Sequence, residues 1–189
     1  MSPHACSAPH IACFFAGEAS AADNASRYLV AALRAGQPAI GIAGPSLLEA
    51  IRGRLHRDHA EGRGDRGKLV LLDAEETLDR FCLAGKPDAA LFHQVVGAAV
   101  RDLAAGGTAV AVAVYGDMVG VLCQRGQYED AVTLEGLWND LLRDVDASLL
   151  CGYQRSWFDS PEGAGFYDAV RATHSSSHDE RSGFVPRWV

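Results

Sequence analysis

Four nitrogen and sulfur donors crowd the first thirteen residues: His4, Cys6, His10 and Cys13, in the order His-x-Cys-x3-His-x2-Cys. Four such ligands would suit tetrahedral zinc. His10 and Cys13, however, fall in an apolar run that reads as a strand, where residues three apart face opposite ways. His4 and Cys6 precede that run in a flexible terminal segment. Strand residues behind a loose terminus are the plainer reading, so these four are only candidates and neither a metal nor another cofactor is expected. His174 and His178 have helical spacing, but no cysteine or carboxylate pattern completes a site around them.

A second set of candidates follows the apolar runs. It comprises Gly17 and Glu18, Gly44 and Pro45, Asp73 and Glu75, Tyr115 to Met118, and Gln154 and Arg155. Together these suit a pocket with aromatic walls and two or three carboxylates; singly, each also suits a turn or a helix cap. Glu135 sits within an apolar helical stripe, and a carboxylate buried there has to be paired. The reading places a small ligand against Phe14, Phe15, Tyr115 and Trp138, with His10, Asp117, Met118 and Glu135 as the other contacts.

Several chemistries lack their residues. The turn Ala16-Gly17-Glu18-Ala19-Ser20 has no lysine and puts a carboxylate where a phosphate loop would hold phosphate. Gly41-Ile42-Ala43-Gly44 is a weak echo of a dinucleotide-binding loop, and no Gly-x-Ser-x-Gly elbow occurs. No catalytic residue is assigned, and the chain is expected not to be an enzyme.

The elements that must position these residues alternate. Strands are expected at His10–Ala16, Ala39–Ala43, Lys68–Leu72, Thr108–Tyr115 and Ser148–Tyr153. Helices are expected at Ala21–Ala35, ending on Gly36, then at Pro45–His59, Ala74–Leu83, Asp88–Ala105, Tyr128–Asp144 and Gly163–Thr173. Asp58–Gly67, rich in Gly, Arg and Asp, reads as a flexible insertion. Such alternation predicts an α/β fold of three layers, with a mostly parallel sheet of five or more strands and helices on both faces. Ligands in these sheets bind at the carboxyl ends of the strands.

The chain has 189 residues, 48% hydrophobic and 22% charged, which is one globular domain's worth. Residues 1–8 are read as a flexible segment, 9–174 as the domain and 175–189 as a tail. A net charge of −7 argues against a broad nucleic-acid-binding face. The absence of a run of roughly 20 apolar residues argues against a membrane span. The five cysteines are irregularly spaced and the N-terminus lacks a basic signal region, so a bacterial cytoplasmic protein with reduced thiols is expected.

The string Tyr115-Gly116-Asp117-Met118-Val119-Gly120-Val121-Leu122 is followed by Gln124-x-Gly126, Ala131, Leu134-Glu135 and Leu137-Trp138-Asn139. With His10-x-x-Cys13-Phe14-Phe15, Leu149-Leu150-Cys151-Gly152-Tyr153 and His174, this resembles the MEDS family, the methanogen/methylotroph sensory domain, from Pro9 to His174. The resemblance implies a RecA/KaiC-like core without its phosphate loop. It also implies a stand-alone sensory module that binds a small organic ligand and signals through a partner, either a kinase or a transcription regulator. Asp117 departs from the family's usual glutamate by one methylene. The alternatives are a ligand-free interaction module regulating a histidine kinase or an anti-sigma-type system, and a residual nucleotide-binding protein. Self-association is a further partner expectation.

Overall fold

A computed structural model describes residues 9–60, 67–106 and 111–179. His4 and Cys6, most of the polar insertion after Ala60, and the tail beyond Asp179 lie outside the described residues. Among the described residues eight strands run in chain order: β1 (His10–Phe15), β2 (Ala39–Ala43), β3 (Leu69–Asp73), β4 (Cys82–Leu83), β5 (Lys86–Pro87), β6 (Val112–Gly116), β7 (Ala147–Gln154) and β8 (Ser176–Asp179). Six of them form one sheet in the order β3-β2-β6-β7-β1-β8. Every pairing in that sheet is parallel. The short pair β4–β5 is a separate hairpin turned at Ala84 and Gly85, both at positive φ.

Seven helices among the described residues connect the strands: α1 (Glu18–Arg34), α2 (Pro45–Ala60), α3 (Ala74–Phe81), α4 (Ala89–Ala104), α5 (Met118–Gln124), α6 (Tyr128–Asp144) and α7 (Pro161–Thr173). A 3-10 turn, Arg155–Phe158, follows β7. Both faces of the sheet are covered, which is why β1, β2 and β6 are buried along their whole length and read as nearly continuous apolar runs. Strand alternation then divides the core. Ile11, Cys13 and Phe15 pack with α1 and α2, while Ala12 and Phe14 pack with the layer of α3 to α7. The predicted three-layer α/β architecture is the one found.

Local chemistry sets the boundaries. Gly36 closes α1 at φ +81°, with its N–H and that of Gln37 donating to Leu33 and Ala32 carbonyls. The Asp73 carboxylate accepts from Glu75 and Glu76 N–H and starts α3. Asp88 caps α4 in the same way, and Ser160 with Pro161 starts α7. Asp73 is thus a cap, as the turn-and-cap reading allowed.

Several elements escaped the sequence reading: the helix expected at Ala74–Leu83 stops at Phe81 and gives way to the β4–β5 hairpin, and the 3-10 turn, α5 and β8 were not expected. The segment Met118–Gln124 is a short helix although it contains Val119, Gly120 and Val121, which are poor helix formers. It forms because its buried residues Met118, Val119, Leu122 and Cys123 pack into the core. The expected tail opens with β8, which is polar because it is an edge strand whose single neighbour is β1.

Gly152 on β7 makes room for its neighbour. A Cβ there would lie 2.4 Å from the Tyr115 hydroxyl and 3.3 Å from Phe15 Cε2. Gly152→Ala should therefore destabilise the fold by about 1–3 kcal/mol. Gly136→Ala on α6, where a Cβ meets nothing within 4 Å, should stabilise it by about 0.5–1 kcal/mol. Urea unfolding of the two variants checks the opposite signs.

Candidate functional site

The carboxyl ends of β1, β2, β6 and β7 open into a cleft of about 390 Å³. That is enough for a small organic molecule, pockets of this kind running from roughly 300 to 1,000 Å³. Its aromatic walls are Phe15, Tyr115, Tyr153 and Trp157, and its acidic groups are Glu18, Glu75 and Asp117. Among the described residues that line it there is no lysine, arginine or histidine. Gly120 keeps the wall open, because a Cβ there would lie 2.6 Å from Trp157 Cη2 and 2.9 Å from Asp117 Oδ1.

Two polar groups of this cleft stand out. Tyr115 is fully buried, and its hydroxyl makes no hydrogen bond among the described residues. Such a group ordinarily has a partner. Asp117 is half-buried and held in place by its own N–H, which donates to the Ile42 carbonyl at 2.9 Å. Loss of water around its carboxyl, and then the nearby Glu18, push its pKa up to about 7, against a hydrogen bond from the Gly44 backbone. Burial, with Asp117 adding to it, also holds the Tyr115 phenol well above its usual range, so it remains a donor.

A second constellation lies on the other face of the sheet. Glu135 of α6 is completely buried. His10 Nε2 approaches its Oε2 at 3.0 Å and His174 Nε2 approaches it at 3.6 Å. Tyr153 hydrogen-bonds the other carboxylate oxygen, and Cys151 Sγ lies 3.9 Å from Oε2 and 3.4 Å from His10 Nε2. The elements explain the meeting. His10 and Cys151 project from the same face of adjacent strands, Ala12 being the register partner of Cys151. Glu135 and Asn139 are one helical turn apart on α6, and His174 caps the end of α7.

The outer nitrogens of both imidazoles are fixed. His10 Nδ1 lies 2.9 Å from Asn139 Oδ1, and the Asn139 amide is oriented by its Nδ2 donating to the Thr173 carbonyl. His174 Nδ1 lies 2.7 Å from the Val170 carbonyl. Burial alone would raise the Glu135 carboxyl, but His174, His10 and Tyr153 together hold it below the usual range. Burial and the Glu135 carboxylate push the Cys151 thiol well up. Burial lowers the His174 imidazole despite the pull of Glu135.

The eight ligand candidates therefore separate. Phe15, Tyr115 and Asp117 line the cleft, whereas His10 and Glu135 belong to the buried cluster. Trp138 and Met118 are core side chains, each about 1% exposed. Phe14 lines a different cavity of about 500 Å³ beside Phe158 and Tyr167. Of the four N-terminal metal candidates, His10 and Cys13 face opposite sides of β1, as the spacing predicts. The helical spacing expected of His174 and His178 is not found: His174 caps α7 and packs against His10, and His178 lies in β8. Cys151, Tyr153, Asn139 and His174, which the sequence did not mark as ligand contacts, complete the buried cluster. Asn139 was the most accessible of these, one turn beyond Glu135 on an apolar stripe.

A model of the MEDS family, described as the MEthanogen/methylotroph, DcmR Sensory domain, matches residues 9–175. No curated protein matches the chain. No helix among the described residues is long and apolar enough to cross a membrane.

The raised Asp117 pKa has a signed consequence. Between pH 4 and 7 the folded chain keeps a proton on Asp117 that the unfolded chain has released, so the stability this proton contributes falls as pH rises through about 7. The loss is about 4 kcal/mol at most, three units at 1.36 kcal/mol each. Asp117→Asn should flatten that part of the stability profile, as read by urea unfolding at a series of pH values.

Proposed function

The chain belongs to the MEDS sensory family, and from that premise we propose that it is a signal-input module which takes a small, uncharged or cationic organic ligand into the cleft and reports through a partner protein. The observation that carries this reading is the pairing of an unpartnered buried hydroxyl, Tyr115, with the half-buried Asp117 carboxyl in an aromatic-walled cleft. An uncharged ligand with both a donor and an acceptor satisfies the Tyr115 hydroxyl and a protonated Asp117. A small ammonium ion is attracted by ionised Asp117 and Glu18 and by the faces of Tyr and Trp rings. An anion would meet carboxylates with no cation lining the cleft to offset them. The same acidity argues against residual nucleotide binding, since phosphates would sit beside Glu18 and Asp117.

Asp117 suits this role in another way. It follows β6 directly and precedes α5, so a ligand that moves its carboxyl also moves the start of a helix packed on the core. That is a physical route from cleft to surface for a protein that signals by changing how it docks.

Thermal shift and native mass spectrometry with small alkylammonium ions, alcohols, amides, acetate, phosphate and magnesium–ATP test the reading. Binding is expected among the uncharged or cationic compounds. Tyr115→Phe and Asp117→Asn should each weaken it by about tenfold, the worth of one buried hydrogen bond. Tighter binding of acetate, phosphate or ATP, or unchanged binding in both variants, would overturn it.

A further inference from the structure

We propose that His10 Nε2, a Glu135 carboxylate oxygen, Cys151 Sγ and His174 Nε2 form a buried site for one divalent transition-metal ion, zinc by the chemistry of its donors. The four donor atoms all lie within 4.8 Å of one another. The contacts between them, 3.0, 3.4, 3.6 and 3.9 Å, bracket the donor separations of about 3.3–3.8 Å that tetrahedral zinc imposes with ligand bonds near 2.0–2.3 Å.

Hydrogen bonding on the outer side of the cluster makes the case. Each imidazole points Nδ1 at an acceptor: Asn139 Oδ1 for His10 and the Val170 carbonyl for His174. The Thr173 hydroxyl donates to that same carbonyl, so its oxygen can only accept from His174 Nδ1. Both Nδ1 atoms are thus N–H donors, and in the neutral rings both Nε2 lone pairs face inward. They face the Glu135 carboxylate, which offers only lone pairs, the Tyr153 hydroxyl, whose hydrogen goes to Glu135, and the Cys151 thiol, whose one hydrogen serves a single acceptor. A proton on one ring bonds that ring to Glu135 and leaves the other lone pair facing inward, while protonating both sets two imidazolium ions side by side with ring centroids 4.0 Å apart, where they repel. A cation in the middle relieves all of it at once.

Charge balance agrees. Glu135 is 0% exposed, and His10 and Cys151 are 2% and 1% exposed. A fully buried group of this kind should be close to neutral. Two neutral imidazoles, one carboxylate and one thiolate carry a charge of −2, which a divalent ion cancels. On binding, the ion displaces the thiol proton to solvent, so one proton is released per metal bound. The mixed nitrogen, sulfur and oxygen set disfavours calcium and magnesium, which take oxygen ligands, and fits zinc. Asn139 acts as a positioning residue by holding the His10 ring.

The site would also tie β1 to the segment that enters β8. Ser175, next to His174, donates through its N–H and its hydroxyl to the His10 carbonyl, both at 2.8 Å. Metal binding would fasten β1 to the α7–β8 junction across more than 160 residues of sequence, a long loop closure gained in the folded state.

The test uses the full chain, stripped of metal by chelator in denaturant, refolded, and titrated with zinc chloride or cobalt chloride alone. One equivalent of zinc should bind. Cobalt should give the visible absorption of a tetrahedral site together with a thiolate-to-cobalt charge-transfer band. Cys151→Ala should lose that band while Cys13→Ala keeps it, and Asn139→Ala should bind zinc about 10- to 100-fold more weakly. Failure to bind one equivalent, a cobalt spectrum without the thiolate band, or a Cys151→Ala spectrum like the wild type would overturn the site. Should Cys151→Ala not fold, X-ray absorption of the wild-type zinc complex decides. Two imidazoles with one sulfur support the site, and a shell without sulfur sinks it.

Discussion

A carboxylate placed where water cannot reach it organises much of this molecule. Glu135 lies on the buried face of α6, and removing an ionised carboxyl from water is affordable only if neighbours replace the lost hydration. Those neighbours come from every side: His10 from β1, Cys151 and Tyr153 from β7, and His174 from the end of α7. Each contact constrains the element that supplies it. The helix must lie across two adjacent strands, and α7 must end where its cap residue reaches the same point. Asn139, one turn along α6, extends the constraint by holding His10 and donating through Nδ2 to the last carbonyl of α7.

The cleft at the strand carboxyl ends depends on a different constraint, which is missing volume. Gly152 and Gly120 omit side chains where Tyr115, Asp117 and Trp157 need space. Aromatic walls therefore stand next to carboxyls, and among the described residues the acidic groups gather with no basic side chain lining the cleft. Tyr153 connects the two regions. It lines the cleft and also hydrogen-bonds Glu135, so a ligand that shifts this ring acts on the polar cluster beneath it. Under the proposed reading, joining a solvent-facing cavity to a tightly determined buried network would give an input site a rigid element to act on.

Much of the site was legible before the fold was known. The residues following the apolar runs included Glu18, Gly44, Glu75, Tyr115, Asp117 and Gln154, all of which line the cleft. They were legible because parallel sheets collect their strand-end loops on one side whatever the strand order. Glu135 stood out as a carboxylate on an apolar stripe. His10 stood among the candidates too, but its meeting with Cys151 did not show, since the two are 141 positions apart and no local pattern pairs them. Phe14 and Trp138 read like pocket walls, yet one lines another cavity and the other is packed in the core, because an aromatic side chain's type does not say which face of its element meets solvent.

By itself, then, the sequence determined the alternation of strands and helices, their approximate ends, the three-layer parallel class and the side of the sheet on which loops converge. These follow from backbone periodicity, capping and turn chemistry, which act over a few residues. Only the tertiary structure decided that β1 lies between β7 and β8, and hence that two histidines, a cysteine and a glutamate share one buried point. It also decided that the Tyr115 hydroxyl is left without a partner among the described residues and that Asp117 holds its proton to about pH 7. Desolvation and long-range pairing depend on everything packed around a group, and that information exists only once the chain is folded.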